Sequence, residues 1–346
     1  MKAIRICLLL TMVFLLVAAV APGETRAAGS VDLSRPCSLT LFTQSSPESG
    51  EEGQYSDLCT IPEIHGKLYR VADMTSTGAF RSRFPFEALN IPTLTAPDQE
   101  SWAALWEETE GYAAAIVLDS PGMTADCTVT LVPAEDGSGI LGTAGDLIPG
   151  MYLVLLADAQ SPVFTYRFRP FLVAVPGNHY WENREESMDA WVYEVSAVLK
   201  PEWERRNGAL IIRKTVDRYA DMDGSADFVF LVESRDEDGN ILYSNAVSIR
   251  HQDAGTREAV LTDVPAGLTV TVTEVYSGAS YTLTSAPSQS VIVTAQDSSQ
   301  EAAAVEFVNT WNGKLGQETA AVNRFTHNQD EDAWVWERCT DNTLPS

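Results

Sequence analysis

The chain has 346 residues and carries 48 acidic against 23 basic side chains, a formal net charge of -25. A surface this acidic repels nucleic acid and anionic membranes, and no basic patch with interleaved aromatics interrupts it, so nucleic-acid binding is set aside. Apolar residues make up 45% of the chain, which excludes a disordered acidic tail and fits two domains of about 150 residues each.

In chain order, Lys2 and Arg5 precede an almost wholly apolar run from Ile6 to Val20, and Thr25-Arg26-Ala27 supplies small residues where cleavage occurs. This is the pattern of a secretory signal peptide over residues 1–27; the apolar run falls short of the roughly 20 residues that span a bilayer. Cleavage removes Lys2, Arg5 and Arg26 against Glu24, taking the net charge from -25 to -27. Export permits disulfides. The four remaining cysteines, Cys37, Cys59, Cys127 and Cys339, allow three complete pairings and match no zinc spacing. Cys37 and Cys59 flank one early loop and are the candidate pair, against free buried thiols as the alternative.

Residues 31–200 read as a β domain. CSLTLFTQ, GKLYRVAD, CTVTLVP, GMYLVLLAD, YRFRPFLVAVP and WVYEVSAVLK predict strands, and SWAALWEETEGYAAAIV predicts one inserted helix with Ser101 as its N-cap. KPEWERRNG, from Lys200 to Gly208, breaks the pattern as a linker would. Residues 208–311 then hold eight short alternating runs: ALIIRKTV, DFVFLVES, ILYSNAVSI, EAVLTDV, LTVTVTEV, YTLTSA, SVIVTA and AAVEFVNTW. That density of short strands predicts a β-sandwich, with Asp238-Gly239-Asn240 as a hairpin turn. Residues 312–346 form an acidic tail, mostly structureless, with a strand possible only at AWVWERC. LIPGMYLVLLA aligns with DVPAGLTVTVTEV as a faint repeat that sets Gly150 on Gly267 and Ala157 on Glu274.

Three residues of the second domain carry the chemistry. Strand alternation puts Lys214 on the face of Ile212, Glu274 on that of Val270 and Val272, and Asn309 on that of Phe307. A buried ammonium is costly and tends to become a neutral amine, which is a nucleophile; a buried carboxyl can shuttle protons. Lys214 could then attack the Asn309 carboxamide, with Glu274 moving the protons, and expel ammonia to leave an isopeptide bond between the first and last strands. Other constellations are weaker. DMDGSAD, Asp221 to Asp227, has aspartates at calcium-loop spacing but lacks Gly at the sixth position and Glu at the twelfth, so it reads as a solvated turn. The histidines at 65, 179, 251 and 327 are scattered, no nucleophile elbow, phosphate loop or dinucleotide fingerprint is present, and no metal or cofactor is expected.

RKTV, the proline-glycine turn before VTEV, and VEFVNTW resemble the isopeptide-forming, CnaB-like domains of Gram-positive pilins and adhesins over Leu210 to Trp311. The resemblance implies that the Lys214 and Asn309 side chains are joined and that Glu274 catalyses the joining once per chain, so the protein is not a turnover enzyme. GKLYRVAD, the Pro-Gly turn before MYLV, and PFLVAVP resemble the N-terminal domain of pilins of the same class. WVYEVSAVLKP matches a WxxxVxVYPK pilin motif at Trp191, Val195 and Lys200, and departs from it at Ala197, Val198 and Leu199. By that resemblance Lys200 is a candidate sortase nucleophile, with sortase and neighbouring pilin subunits as partners. The implied fold class is all-β, two tandem Ig-like or CnaB-type sandwiches with a helical insertion in the first. The implied protein is a secreted cell-surface or cell-wall subunit of a pilus or adhesin stalk; the alternative is a secreted module that binds a host protein or glycan and is not polymerised. The chain ends in Leu344-Pro345-Ser346, where a sorting signal would begin, and membrane contact is expected only through such a tail. No Lys in its first strand, and Ala157 in place of a glutamate, predict no isopeptide bond in the first domain.

Overall fold

A computed structural model describes residues 30–43, 52–94, 99–135, 137–178, 191–220, 224–277, 280–295, 302–314, 322–328 and 333–339. The expected signal peptide and Asp221 to Asp223 lie outside the described residues. The chain is all-β with one long helix and divides into two compact units, Met1–Ser161 with Thr165–Trp203, and Pro162–Phe164 with Glu204–Ser346. No helix among the described residues is long and apolar enough to cross a membrane.

The first unit contains β1 (Cys37–Thr43), α1 (Glu52–Leu58), β2 (Ile64–Met74), α2 (Gln99–Leu118), β3 (Cys127–Pro133), β4 (Ile140–Leu147), β5 (Gly150–Leu156), β6 (Phe171–Val175) and β7 (Glu194–Leu199). Its strands follow the order β7-β1-β4-β3-β2-β5-β6, with Phe80–Ser82 added to β2. β3 pairs with β4 only at Val132 and Pro133 and with β2 over Cys127 to Leu131, so the path turns there into two halves. The β2-β5-β6 half is buried on both faces. Tyr69, Val71, Met151, Leu153 and Leu172 pack under Trp106, Ala113 and Val117 of α2, while Leu68, Val154 and Val173 fill the opposite face. α2 starts at Gln99, two residues before Ser101, so Ser101 sits within the first turn and not at the cap the sequence suggests. Trp102 and Trp106 stack at 5.9 Å on one side of this helix. The expected strand YRFRPFLVAVP splits at Arg169-Pro170 into Phe164–Arg167 and β6, because proline cannot donate to a ladder.

The expected pairing of Cys37 with Cys59 is not made; no disulfide joins the two. Cys37 opens β1 opposite Leu147. The Cys59 sulfur lies 3.2 Å from the Gly139 carbonyl, and Ile140, next in sequence, bonds to Thr43 at the other end of β1. A strand rises about 3.3 Å per residue, which separates those two ends well beyond the ~7 Å Cα spacing that a disulfide tolerates.

The second unit is a sandwich of two four-stranded sheets. Its strands are β8 (Asn207–Arg218), β9 (Ala226–Arg235), β10 (Ile241–His251), β11 (Gly255–Pro265), β12 (Thr269–Tyr276), β13 (Tyr281–Leu283), β14 (Ser288–Ile292) and β15 (Ala303–Trp311). One sheet runs β11-β8-β15-β13 and the other β10-β9-β12-β14. The inner faces alternate strictly: Leu210, Ile212 and Val216 of β8, Phe228, Phe230 and Val232 of β9, Val270 and Val272 of β12, and Val305 and Phe307 of β15 are all buried. The first and last strands, β8 and β15, lie side by side in parallel, with Ile212 opposite Val305 and Lys214 opposite Phe307. The β9–β10 hairpin closes with Gly239 at φ 86°, its N–H bonded to the Asp236 carbonyl. The tail holds more structure than expected: β16 (Val322–Asn328) pairs with β17 (Ala333–Cys339), and the Trp334 N–H donates to Ser244 Oγ of β10 at 3.2 Å. VNRFTHN is too polar to signal a strand without that partner.

Gly142 of β4 lies against the backbone of Thr130 and Leu131, where a Cβ has no room. Gly142→Ala is expected to lower the stability of the first unit by about 1–3 kcal/mol in a urea titration; an unchanged midpoint would show that β3 and β4 separate without cost.

Candidate functional site

Each side chain of the site arrives by strand alternation. β8 places Lys214 inward after Leu210 and Ile212, β12 places Glu274 inward after Val270 and Val272, and β15 places Asn309 inward after Val305 and Phe307. Lys214 and Asn309 come from neighbouring parallel strands of one sheet, and Glu274 comes from the facing sheet, where it sits opposite Phe230 of β9. Lys214 and Asn309 are 0% exposed and Glu274 is 7% exposed.

The three side chains form a closed network. Lys214 Nζ donates to Glu274 Oε2 at 2.7 Å and to Asn309 Oδ1. Asn309 Nδ2 donates to Glu274 Oε1 at 2.6 Å and to the Ser277 carbonyl at 3.3 Å. One carboxylate oxygen thus holds the amine and the other holds the carboxamide nitrogen. The walls are aromatic: Nζ lies 4.4 Å from the centroid of Phe228 and 5.8 Å from that of Phe230, which packs on Phe307 at 5.0 Å. Burial among these rings pushes the Lys214 ammonium down to about 8, against the opposing pull of Glu274. Roughly a tenth of such lysines carry a neutral amine at pH 7.

A buried ion pair with one partner removed is strongly destabilising, yet its presence contributes little to stability over an apolar replacement. An amine, a carboxylate and a carboxamide bonded to one another in an aromatic pocket are therefore poorly explained as packing. They can exchange protons and form an amide.

Lys200, the other candidate lysine, belongs to the first unit. It directly follows β7 and is exposed. The first unit shares the parallel pairing of its terminal strands, β1 with β7, but the core positions of β1 are held by Leu39 and Leu41, and Ala157 follows β5 with its N–H on the His65 carbonyl. Among the described residues no group of histidine, cysteine and acidic side chains is arranged to hold a metal ion.

His251, one of four histidines scattered in sequence, also belongs to this core. It closes β10 at 0% exposure, and its ring meets Phe228 edge-on at 5.6 Å and 89°. Phe228 thus packs against both Lys214 and His251. Burial holds the His251 pKa below 6.5; the Asp253 backbone opposes the shift, and the charges of Arg257 and Lys214 add to it. The signal in the sequence was its place in the alternation after Ile249, obscured because histidine is common on surfaces.

Residues 210–312 match the family described as a domain of unknown function, DUF5979. No curated protein matches the chain. Among solved structures, the chain is similar to the minor pilin GBS52 of Streptococcus agalactiae, with 15% identity over 82% of this chain and 99% of that one, at a TM-score of 0.23. It is also similar to the SpaE basal pilin of Lactobacillus rhamnosus GG, with 12% identity over 77% and 86% and a TM-score of 0.31. The full-length major pilin SpaD of Corynebacterium diphtheriae gives 11% identity over 83% and 100%, with a TM-score of 0.26.

Because the folded pKa of His251 lies below its unfolded value of 6.5, the unfolded chain takes up the proton first. The stabilising contribution is complete above that value and is lost as pH falls below it. The denaturation midpoint of the second unit is expected to fall from about pH 7 to about pH 5, and His251→Phe should flatten that fall. The comparison needs the variant because Glu110 of the first unit, raised by burial to about 7, acts with opposite sign. An equal slope in both proteins would contradict this role for His251.

Proposed function

We propose that the second unit closes an intramolecular isopeptide bond between Lys214 and Asn309, and that the chain is a secreted structural subunit of a bacterial surface fibre, a pilus subunit or an adhesin stalk. The carrying observation is the network itself: amine, carboxylate and carboxamide within hydrogen-bond reach inside one core, the amine and carboxamide on β8 and β15 and the carboxylate on β12 of the facing sheet.

On this reading Glu274 faces the amine through one oxygen and the leaving nitrogen through the other. Neutral Lys214 Nζ attacks Asn309 Cγ, and the carbonyl π pair moves to Oδ1. The Glu274 carboxylate takes the amine proton at Oε2, which already accepts from Nζ, and the carboxyl group so formed turns to deliver that same proton to the leaving nitrogen, which lies beside Oε1. Collapse of the tetrahedral intermediate breaks Cγ–Nδ2. An amine and a carboxamide become a secondary amide and ammonia, and Glu274 ends as it began. The fold supplies the proximity that would otherwise require a catalyst. The reaction happens once in each chain, so the protein has no turnover and needs no metal or cofactor for this step.

A bond between residues 95 apart in sequence closes most of the unit into one loop. On the chain-entropy account, loops of that size lose about 4–5 kcal/mol of unfolded-state freedom. Parallel terminal strands joined in this way resist peeling under tension, which suits a protein pulled on at a cell surface. Export through the signal peptide, cell-wall attachment and sortase use belong to the same reading, with Lys200 as the amine offered to a neighbouring subunit.

Intact mass of the purified chain is expected to fall short of the sequence by one ammonia. Glu274→Ala should restore the full mass and lower the stability of the second unit by several kcal/mol, since it removes both the bond and a partner of a buried lysine. Full mass in the unaltered chain would end this reading. For polymerisation, coexpression with a cognate sortase should yield high-mass ladders that vanish in Lys200→Ala; unchanged ladders would remove Lys200 and favour a module that is not polymerised through it.

A further inference from the structure

The leaving-group side of the site is more specific than amide formation requires. Asn309 Nδ2 has two hydrogens, and each has its own acceptor: Glu274 Oε1 at 2.6 Å and the Ser277 carbonyl at 3.3 Å. Oδ1 points the other way and accepts from Lys214 Nζ. If the carboxamide turned over, its oxygen would face two acceptors and its nitrogen would face a donor, so the network admits one orientation. Asn309 is fully buried, and a group left unpaired there pays its full desolvation cost. Ser277 directly follows β12, so the strand that delivers Glu274 delivers the second acceptor three residues later.

We propose that the Ser277 carbonyl, together with Glu274 Oε1, makes the site selective for a carboxamide over a carboxylic acid at position 309. This rests on the linkage reading above and adds the choice of leaving group, ammonia in place of water. Either reaction balances: amine and carboxamide give amide and ammonia, while amine and carboxylic acid give amide and water. The acceptors distinguish them. A neutral acid has one hydrogen where the carboxamide nitrogen has two, so one acceptor would face a lone pair. An ionised acid has none, repels Glu274 and is not an electrophile. Ser277 acts as a positioning residue through its backbone; it holds the carboxamide with its oxygen toward the amine.

The test compares the full chain with Asn309→Asp, both recovered unfolded from inclusion bodies so that neither is yet linked, after refolding from denaturant, with intact mass followed over time and folding checked by circular dichroism. The unaltered chain should lose one ammonia, and the Asn309→Asp chain should lose water at least about tenfold more slowly. The pH profiles should also differ. Between about pH 6 and about pH 8 the unaltered chain should speed up as the Lys214 amine forms, whereas Asn309→Asp should not, because the fraction of its carboxyl group still protonated falls as the amine fraction rises. A water loss within about twofold of the ammonia loss, or a parallel rise with pH, overturns the selectivity and leaves the linkage reading standing. An unaltered chain that keeps its full mass overturns both. Should Asn309→Asp fail to fold, Lys214→Met, which cannot link, supplies the second measurement. Its Asn309 carboxamide should show two resolved, slowly exchanging protons by NMR, and exchange as fast as an exposed carboxamide overturns the proposal.

Discussion

A lysine without solvent exposure at the centre of a β-sandwich is the constraint on which the second unit depends. Its ammonium cannot be left unpaired in an aromatic core without a cost of several kcal/mol, a large part of a fold's margin of stability. The neighbouring strands meet that demand twice, with a carboxylate from the facing sheet and a carboxamide oxygen from the adjacent strand. The same two contacts are the ones that amide formation requires. Burying Lys214 in this way brings it against Asn309, the contact on which the proposed function rests.

Under the proposed function, the parallel pairing of β8 with β15 gives this local chemistry a mechanical consequence: the two strands are neighbours, and Lys214 and Asn309 project from them into the core. The first unit offers an internal contrast. Its terminal strands β1 and β7 pair in the same parallel sense, but Leu39 and Leu41 fill the core positions, and the strands are held by backbone hydrogen bonds and packing. The proposed bond therefore concerns the second unit, whose core holds Lys214 and Asn309, whereas β1 of the first unit places leucines in its core.

Much of this was legible because strand periodicity is strict. Ile212, Val270, Val272 and Phe307 fix the inward faces of three strands, and Lys214, Glu274 and Asn309 fall on those faces without further information. What periodicity does not carry is which faces meet. Ser277 enters the site through its backbone, a contribution invisible in residue type, and His251 is identified as a core residue only once β10 is placed beside β9. Strand β4, ILGTAGDL, lacks the β-branched and aromatic density that marks a strand; its Gly142 serves close approach to β3. The Cys37–Cys59 expectation failed for a related reason: closeness in sequence across a loop does not say that a strand's length separates the two thiols.

The most direct measurement is a high-resolution crystal structure of the purified chain, read at Lys214 and Asn309. The account predicts continuous density from Nζ to Cγ at an amide bond length of about 1.33 Å, with Glu274 beside it and Nδ2 gone. An intact Asn309 carboxamide, separated from Lys214 Nζ by a hydrogen-bond distance in fully folded protein, would contradict it.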